Sequence, residues 1–201
     1  MADIKKNIAV LILAAGSSSR MGRPKQLLPW KDTTLLGTIL KKSKLSCPTE
    51  IVVVLGAYAE RIKSEIEKDE YILLVNKNWE SGLGGSLAFG ITHILENRKG
   101  LDGVLVLLGD QPFVDEDFIE TMIKTFYENE KGIVATSYGK KVGVPALFSR
   151  DYFNELIGLD GDSGAKFLLQ EYEDDIIPLT AGTVTLDIDT PQDYEQLKSR
   201  Y

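Results

Sequence analysis

Between Leu13 and Lys25 the sequence reads Leu-Ala-Ala-Gly-Ser-Ser-Ser-Arg-Met-Gly-Arg-Pro-Lys, a run of small residues that closes on three cations, Arg20, Arg23 and Lys25. Small side chains let a backbone approach a ligand closely, and glycine reaches angles that other residues resist. Successive N–H groups in such a turn form an anion-binding concavity. Each opposite-charge contact near 4 Å adds about 4 kcal/mol at an effective dielectric of 20. The segment matches neither G-x-x-x-x-G-K-[ST] nor G-x-G-x-x-G, because serines stand where the later glycines would be. On spacing alone it is an anion-binding loop.

Carboxylates supply the second kind of chemistry. Asp110, in Gly109-Asp110-Gln111-Pro112, follows the apolar run Val104–Leu108, and Asp187, Asp189 and Asp193 stand in Leu-Asp-Ile-Asp-Thr-Pro-Gln-Asp. Mg²⁺ commonly takes one or two carboxylates and fills its remaining positions with water and substrate phosphate. An aspartate in a Gly-Asp-x-Pro turn also serves as a turn former; its place after a core run is what singles Asp110 out. Alternation puts Asp187 and Asp189 on one face of a strand, and Thr190-Pro191 opens a helix. Asp193 then falls in the first helical turn, where an acidic side chain favours the helix dipole. Cys47, read as a partly buried residue before Pro48, is the only cysteine, so no intramolecular disulfide or thiolate metal cluster can form. His93, the only histidine, sits off the apolar stripe of its helix and is read as solvent-facing, so no Ser-His-Asp or Cys-His arrangement is available.

Short apolar runs alternate with amphipathic stretches and must position these residues. Strands are predicted over Ile8 to Ala14, Ile51 to Leu55, Tyr71 to Val75 and Val104 to Leu108. Helices are predicted over Thr33 to Ser43, Tyr58 to Lys68, Ser86 to Glu96 and Asp115 to Glu128. Ile133 to Ser149 reads as two strands around a turn near Gly139, followed by two short helical stretches. Strands near Ile176 to Leu179 and Thr183 to Ile188 come next, then a helix from Thr190. Unbroken apolar strands between helices imply a mostly parallel sheet covered on both faces. Ligands of such sheets bind beyond the carboxyl ends of the strands, so chemistry is expected just after Ala14, Val75 and Leu108. Asn76 to Leu87 carries three glycines, and Ser86 there either hydrogen-bonds a ligand or caps the helix.

With 201 residues and no repeat or linker-like stretch, residues 1–201 are read as a single domain. The net charge of −7 argues against nucleic-acid and anionic-membrane partners. Asp3, Lys5 and Lys6 precede a short apolar run, Ile8 to Ala15, that ends in glycine and does not read as a secretory n- and h-region; it is also far short of a bilayer span, so a cytoplasmic location is expected.

The first loop resembles the L-A-A-G-x-S-x-R-M-G-x-x-K signature of nucleotidyltransferases related to the molybdenum cofactor guanylyl- and cytidylyltransferases, the MobA/MocA-like enzymes. Its Ala-Ala-Gly form and the following Gln26-Leu27-Leu28-Pro29 are most similar to the cytidylyltransferase branch. G-D-x-P at Asp110, D-I-D-T-P-x-D at Asp187 to Asp193 and the N-x-x-W-x-x-G-x-x-x-S segment from Asn76 to Ser86 extend the likeness to Asp193.

The resemblance implies a three-layer α/β/α, Rossmann-like fold of the nucleotide-diphospho-sugar transferase type. It implies that Leu13, Ala14, Ala15, Gly16, Arg20, Lys25, Gly82, Ser86 and Asp110 bind a nucleoside triphosphate, CTP being favoured, and that Asp110 and Asp189 hold Mg²⁺, with Asp187 the alternative second ligand. Arg20, Lys25 and Asp110 are the implied catalytic residues. Gly143 and Pro145 in G-x-P-x-x-F, with Asp162 and Lys166 in G-D-x-G-A-[RK], resemble the acceptor side; an exposed helix lysine is the alternative for Lys166. Many cofactor cytidylyltransferases have histidine where Val144 stands here. The expected reaction transfers CMP to a molybdopterin-type cofactor, with transient contact with a molybdoenzyme. The alternatives are another phosphorylated acceptor, such as a sugar or alcohol phosphate, and a nucleotide-binding accessory protein without turnover.

Overall fold

The computed structural model describes residues 7–46, 48–66, 71–180, 182 and 186–199. Asp3, Lys5, Lys6, Cys47, Lys68 and residues 183–185 of the expected penultimate strand lie outside them. The elements in chain order are β1 (Ile8–Ala14), β2 (Pro29–Trp30), β3 (Thr33–Thr34), α1 (Leu35–Leu45), β4 (Glu50–Leu55), α2 (Ala59–Glu65), β5 (Ile72–Val75) and α3 (Leu83–Asn97). They continue with β6 (Gly103–Leu108), α4 (Glu116–Glu128), β7 (Ile133–Ser137), β8 (Val142–Ser149), α5 (Phe153–Ile157), α6 (Lys166–Glu171), β9 (Ile176–Thr180) and α7 (Pro191–Lys198).

The main sheet has seven strands in the order β5-β4-β1-β6-β8-β7-β9. Strands β5, β4, β1 and β6 run parallel, as do β7 and β9, and β8 alone runs antiparallel to its neighbours. This is the mostly parallel sheet that continuous apolar strands require. One face packs Leu36, Ile39, Ile62, Ile119 and Met122 of α1, α2 and α4 against the sheet. The other packs Leu87, Ile91 and Ile94 of α3, with Leu156 of α5 and Leu169 of α6. Three layers result, as expected for this fold. Among the described residues no helix is long and apolar enough to cross a membrane.

Helix starts follow from side-chain caps. The Thr34 hydroxyl accepts from Gly37 N at 3.0 Å and the Asp115 carboxylate from Phe118 N at 2.9 Å. Thr190 and Asp193 form a reciprocal capping box, so Asp193 is structural, as the sequence suggested. Two expectations shift. The third helix begins at Leu83 rather than Ser86, because Gly82, at φ +106°, makes the turn into it. Leu186 to Ile188 do not join the sheet; the Ile188 amide instead donates to the Asp110 carbonyl at 3.3 Å.

A smaller core lies beside the sheet's carboxyl end. Met21, Leu28, Trp30 and Leu35 pack there against Ile188, Tyr194 and Leu197, and the Tyr194 hydroxyl donates to the Pro29 carbonyl at 2.7 Å. This cluster carries the segment before α7 back to the first loop.

Candidate active site

Strand β1 delivers its loop at the carboxyl edge of the sheet, between β4 and β6, to which it stays paired to the end. Ser18 adopts a left-handed φ of 51° and Gly22 one of 65°, so the chain turns back sharply on itself. The Ser18 hydroxyl makes its own conformation tenable, accepting from Lys25 N at 3.1 Å. Gln26, 2 % exposed, props the loop from beneath: its amide donates to the Ala14 and Gly16 carbonyls at 3.0 and 3.2 Å. Nothing in the sequence marked Gln26 as more than part of a motif.

Lys25 is the electrostatic centre. Its ammonium pairs with Asp110, at the exit of β6, and with Asp189 at 3.0 Å; Asp189 also meets the Arg20 guanidinium at 2.9 Å. Burial opposes the charge on Lys25, but Asp110 and Asp189 overcome it and raise its affinity for the proton. Burial likewise opposes ionisation of Asp189, and Lys25 and Arg20 outweigh it, holding the carboxyl below its usual range. Arg20, Lys25, Asp110 and Asp189, separated by up to 169 positions in the chain, therefore converge as the motifs implied.

Asp187 stands beside them, bound through Oδ1 to the Gln111 amide at 2.8 Å. Gln111 is 1 % exposed, and its amide nitrogen also reaches the Tyr138 hydroxyl at 3.2 Å. Tyr138 donates to the Val144 carbonyl, linking the carboxylates to the β7–β8 hairpin. Burial around the Tyr138 hydroxyl, with the charge on Asp187, pushes its pKa up to about 12 and keeps it a donor at neutral pH.

A cleft of about 360 Å³ opens between the loop and the start of α3. Leu13, Ala14, Ala15, Gly16, Lys25 and Asp110 line one side; Gly82, Ser86 and Asp162 line the other. Ser86 does not cap α3. It is buried and accepts from the Asn76 amide at 3.1 Å. Trp79 both packs on the second core and walls the cleft. Asp162 shares this cleft, whereas Gly143 and Lys166 line an adjoining one and Pro145 lies within β8. His93 is half-buried on α3, where its ring faces the Asn97 amide, and lines none of these clefts.

The turn bearing Asp162 is clamped to α3 by close backbone approach. Gly84 N donates to the Gly161 carbonyl at 2.7 Å. A Cβ on Gly82 would fall 2.6 Å from Asp162 Oδ1 and closer still to the Gly161 carbonyl, at a φ that side chains resist. Gly82→Ala is therefore expected to cost about 2 kcal/mol or more. Thermal denaturation would show it as a lowered Tm; an unchanged Tm would mean that the turn moves aside freely.

Among the described residues, no three His, Cys, Asp or Glu side chains are grouped to hold a metal by themselves. The donor set nevertheless suits a hard cation that shares its coordination with substrate, because two carboxylates, on Asp110 and Asp189, converge on a single positive point at Lys25 Nζ.

The sequence pattern of the MobA-like NTP transferase domain matches residues 10–176. The purine catabolism protein PucB of Bacillus subtilis (strain 168) is 29 % identical over 94 % of this chain and 94 % of its own length. The molybdenum cofactor cytidylyltransferase of Escherichia coli (strain K12) is 26 % identical over 96 % and 97 %. Among solved structures, Rv0371c of Mycobacterium tuberculosis H37Rv superposes with a TM-score of 0.86 at 32 % identity, covering 96 % of this chain and 98 % of that one. The Rv0371C complex with manganese gives a TM-score of 0.81 at 28 % identity, covering 98 % and 100 %.

Proposed function

The chain belongs to the MobA-like NTP transferase family, and from that premise we propose that it is a divalent-cation-dependent nucleotidyltransferase, moving CMP from CTP to a molybdopterin-type cofactor. The observation that carries this reading is the Lys25 ammonium held by Asp110 and Asp189 at the mouth of a cleft walled by backbone and small residues. An acceptor phosphate oxygen forms the new bond to the α-phosphorus while the bond to the bridging oxygen of the β-phosphate breaks, and pyrophosphate leaves with the electron pair. Such transfers need little covalent help from the protein; positioning and charge stabilisation carry them.

In this reading the backbone of Ala14 to Gly16 cradles the nucleotide, and Gly82 and Ser86 border the base and ribose. Lys25 stays protonated because both carboxylates favour its charge, so it can stabilise the departing pyrophosphate together with Arg20. Asp110 and Asp189 would hold Mg²⁺ or Mn²⁺, which supplies Lewis-acid polarisation of the α-phosphate. Gly143, Pro145, Asp162 and Lys166 form the acceptor side, with Asp162 also facing the nucleotide. The likeness to the cytidylyltransferase and to the manganese complex supports CTP and a divalent cation.

A second reading keeps the reaction and changes the acceptor to a sugar or alcohol phosphate. It is favoured by Val144, which presents an apolar wall where many cofactor cytidylyltransferases have histidine. Pyrophosphate release, measured across the four nucleoside triphosphates with Mg²⁺ or Mn²⁺ and with each acceptor class, separates the two. We expect release only with CTP plus molybdopterin. Release with a sugar phosphate alone moves the assignment to the second reading, and no release with any pair removes both.

A further inference from the structure

The nucleotide cleft does not end at Leu13 and Leu83. Both residues also wall an adjoining pocket of about 220 Å³, lined mainly by apolar side chains including Leu87, Val106 and Val144. That pocket in turn shares Val142, Lys166 and Leu169 with a third cleft of about 500 Å³ at the β7–β8 hairpin. The three spaces follow one another along the same side of the sheet.

The far cleft has a distinct charge. Lys140 and Lys141, at the exposed hairpin turn, line it with Lys166, against Glu173 as the only acidic wall residue among the described residues. None of these three ammonium groups has an ion-pair partner among the described residues. In a chain with 30 acidic and 23 basic side chains, three unpaired lysines around one concavity mark a local reversal of the overall charge. Cationic groups therefore stand at both ends of the trough, Lys25 with its paired Asp110 and Asp189 at one and the three lysines at the other, with an apolar passage between.

We propose that the trough receives the distal half of the acceptor, and that the acceptor class is a phosphate ester whose flat or apolar body carries a second anionic group bound by Lys140 and Lys141. This rests on the reading that a phosphorylated acceptor docks beside the nucleotide. The reacting phosphate lies by Asp110 and Asp189, the body fills the apolar pocket, and the second anion emerges at the hairpin. Because the lysines are exposed, their contribution is modest and salt-sensitive.

The test titrates the full chain, with CTP present, with two probes: phenyl phosphate and 4-carboxyphenyl phosphate. Calorimetry is expected to show the carboxylated probe binding about tenfold more tightly, a gap that narrows as salt is raised. In the double variant Lys140→Ala/Lys141→Ala the two probes should bind within twofold of one another, while the affinities for CTP and phenyl phosphate stay as in the parent. Charge reversal, Lys140→Glu/Lys141→Glu, should make the carboxylated probe the weaker one. Equal affinities in the parent chain, or a preference that survives both variants, overturns the second-anion site and leaves the transferase reading standing. Failure of both probes to bind beside bound CTP overturns the phosphorylated-acceptor reading and this inference with it.

Discussion

Asp110→Asn is expected to lower pyrophosphate release about 1,000-fold or more while leaving the fold in place. The substitution keeps the shape of the side chain and removes one negative charge from a half-buried position at the exit of β6. That charge has two tasks in the proposed mechanism: it holds the divalent cation and it fixes Lys25. Deleting a single preorganised electrostatic group in an active site costs roughly 10²–10³ in turnover, and weakening a Lewis acid adds several kcal/mol to the barrier. The structural cost is small, since Lys25 retains Asp189 at 3.0 Å and β6 is held by β1 and β8. The checks are pyrophosphate release at saturating Mg²⁺ and a melting curve. A variant that keeps its Tm and more than a tenth of its activity would remove Asp110 from the centre of the chemistry.

Lys25→Met carries the opposite change of charge and a second signature. In the parent one ammonium, its side chain only 16 % exposed, bridges Asp110 and Asp189, and Arg20 adds a second positive charge on Asp189 alone. Without it, both carboxylates face each other beside Asp187 and Gln111, and like charges at such distances are unfavourable. Turnover should fall about 100- to 1,000-fold through lost stabilisation of the leaving pyrophosphate. In metal-free buffer the variant should also lose about 1–3 kcal/mol of stability, seen as a Tm several degrees lower. Adding Mg²⁺ or Mn²⁺ should restore part of that loss, so the rise in Tm with metal is larger in the variant than in the parent. Differential scanning calorimetry with and without Mg²⁺ reads this directly. Equal metal-induced shifts in the two proteins would mean that Lys25 and the cation do not address the same carboxylates.

The sheet was legible in the sequence because its strands are buried on both faces and so appear as unbroken apolar runs. Ile8 to Ala14 and Val104 to Leu108 needed no alternation to be recognised. The start of α3 was harder. Three glycines at the cap and in the first turn look like loop, and only the positive φ at Gly82 and the fit of Gly84 against Asp160 and Gly161 explain why helix begins there. Leu186 to Ile188 have the alternation of a strand, yet the Ile188 side chain is drawn into the small core and the segment runs past Asp110 outside the sheet. Its register was right even though its pairing was not, since Asp187 and Asp189 both reach the site.

What sequence reading missed is the buried polar framework beneath the motifs. Gln26, Asn76 and Gln111 carry no charge, and Gln26 and Asn76 figured in the sequence only as positions of motifs. Their importance arises from partners 10 to 76 positions away, which only the fold supplies. Lys25 was recognised as a cation for an anion. Its pairing with Asp110 and Asp189 was not, because each was read as serving the ligand rather than the other.

The small core between Met21 and Leu197 has a consequence in time. The Tyr194 hydroxyl meets the Pro29 carbonyl across 165 positions, and Asp189 meets Arg20 across 169. Contacts so far apart in sequence form late, because their loop closure must be met before they repay it. During synthesis the first loop leaves the ribosome early and waits, without Asp189 and Tyr194, until that distant segment has followed. Strands β1, β4 and β6 can pair in the meantime. Catalytic competence is thus acquired as one of the last events of folding, and a partly synthesised chain with a well-formed sheet would still be inactive.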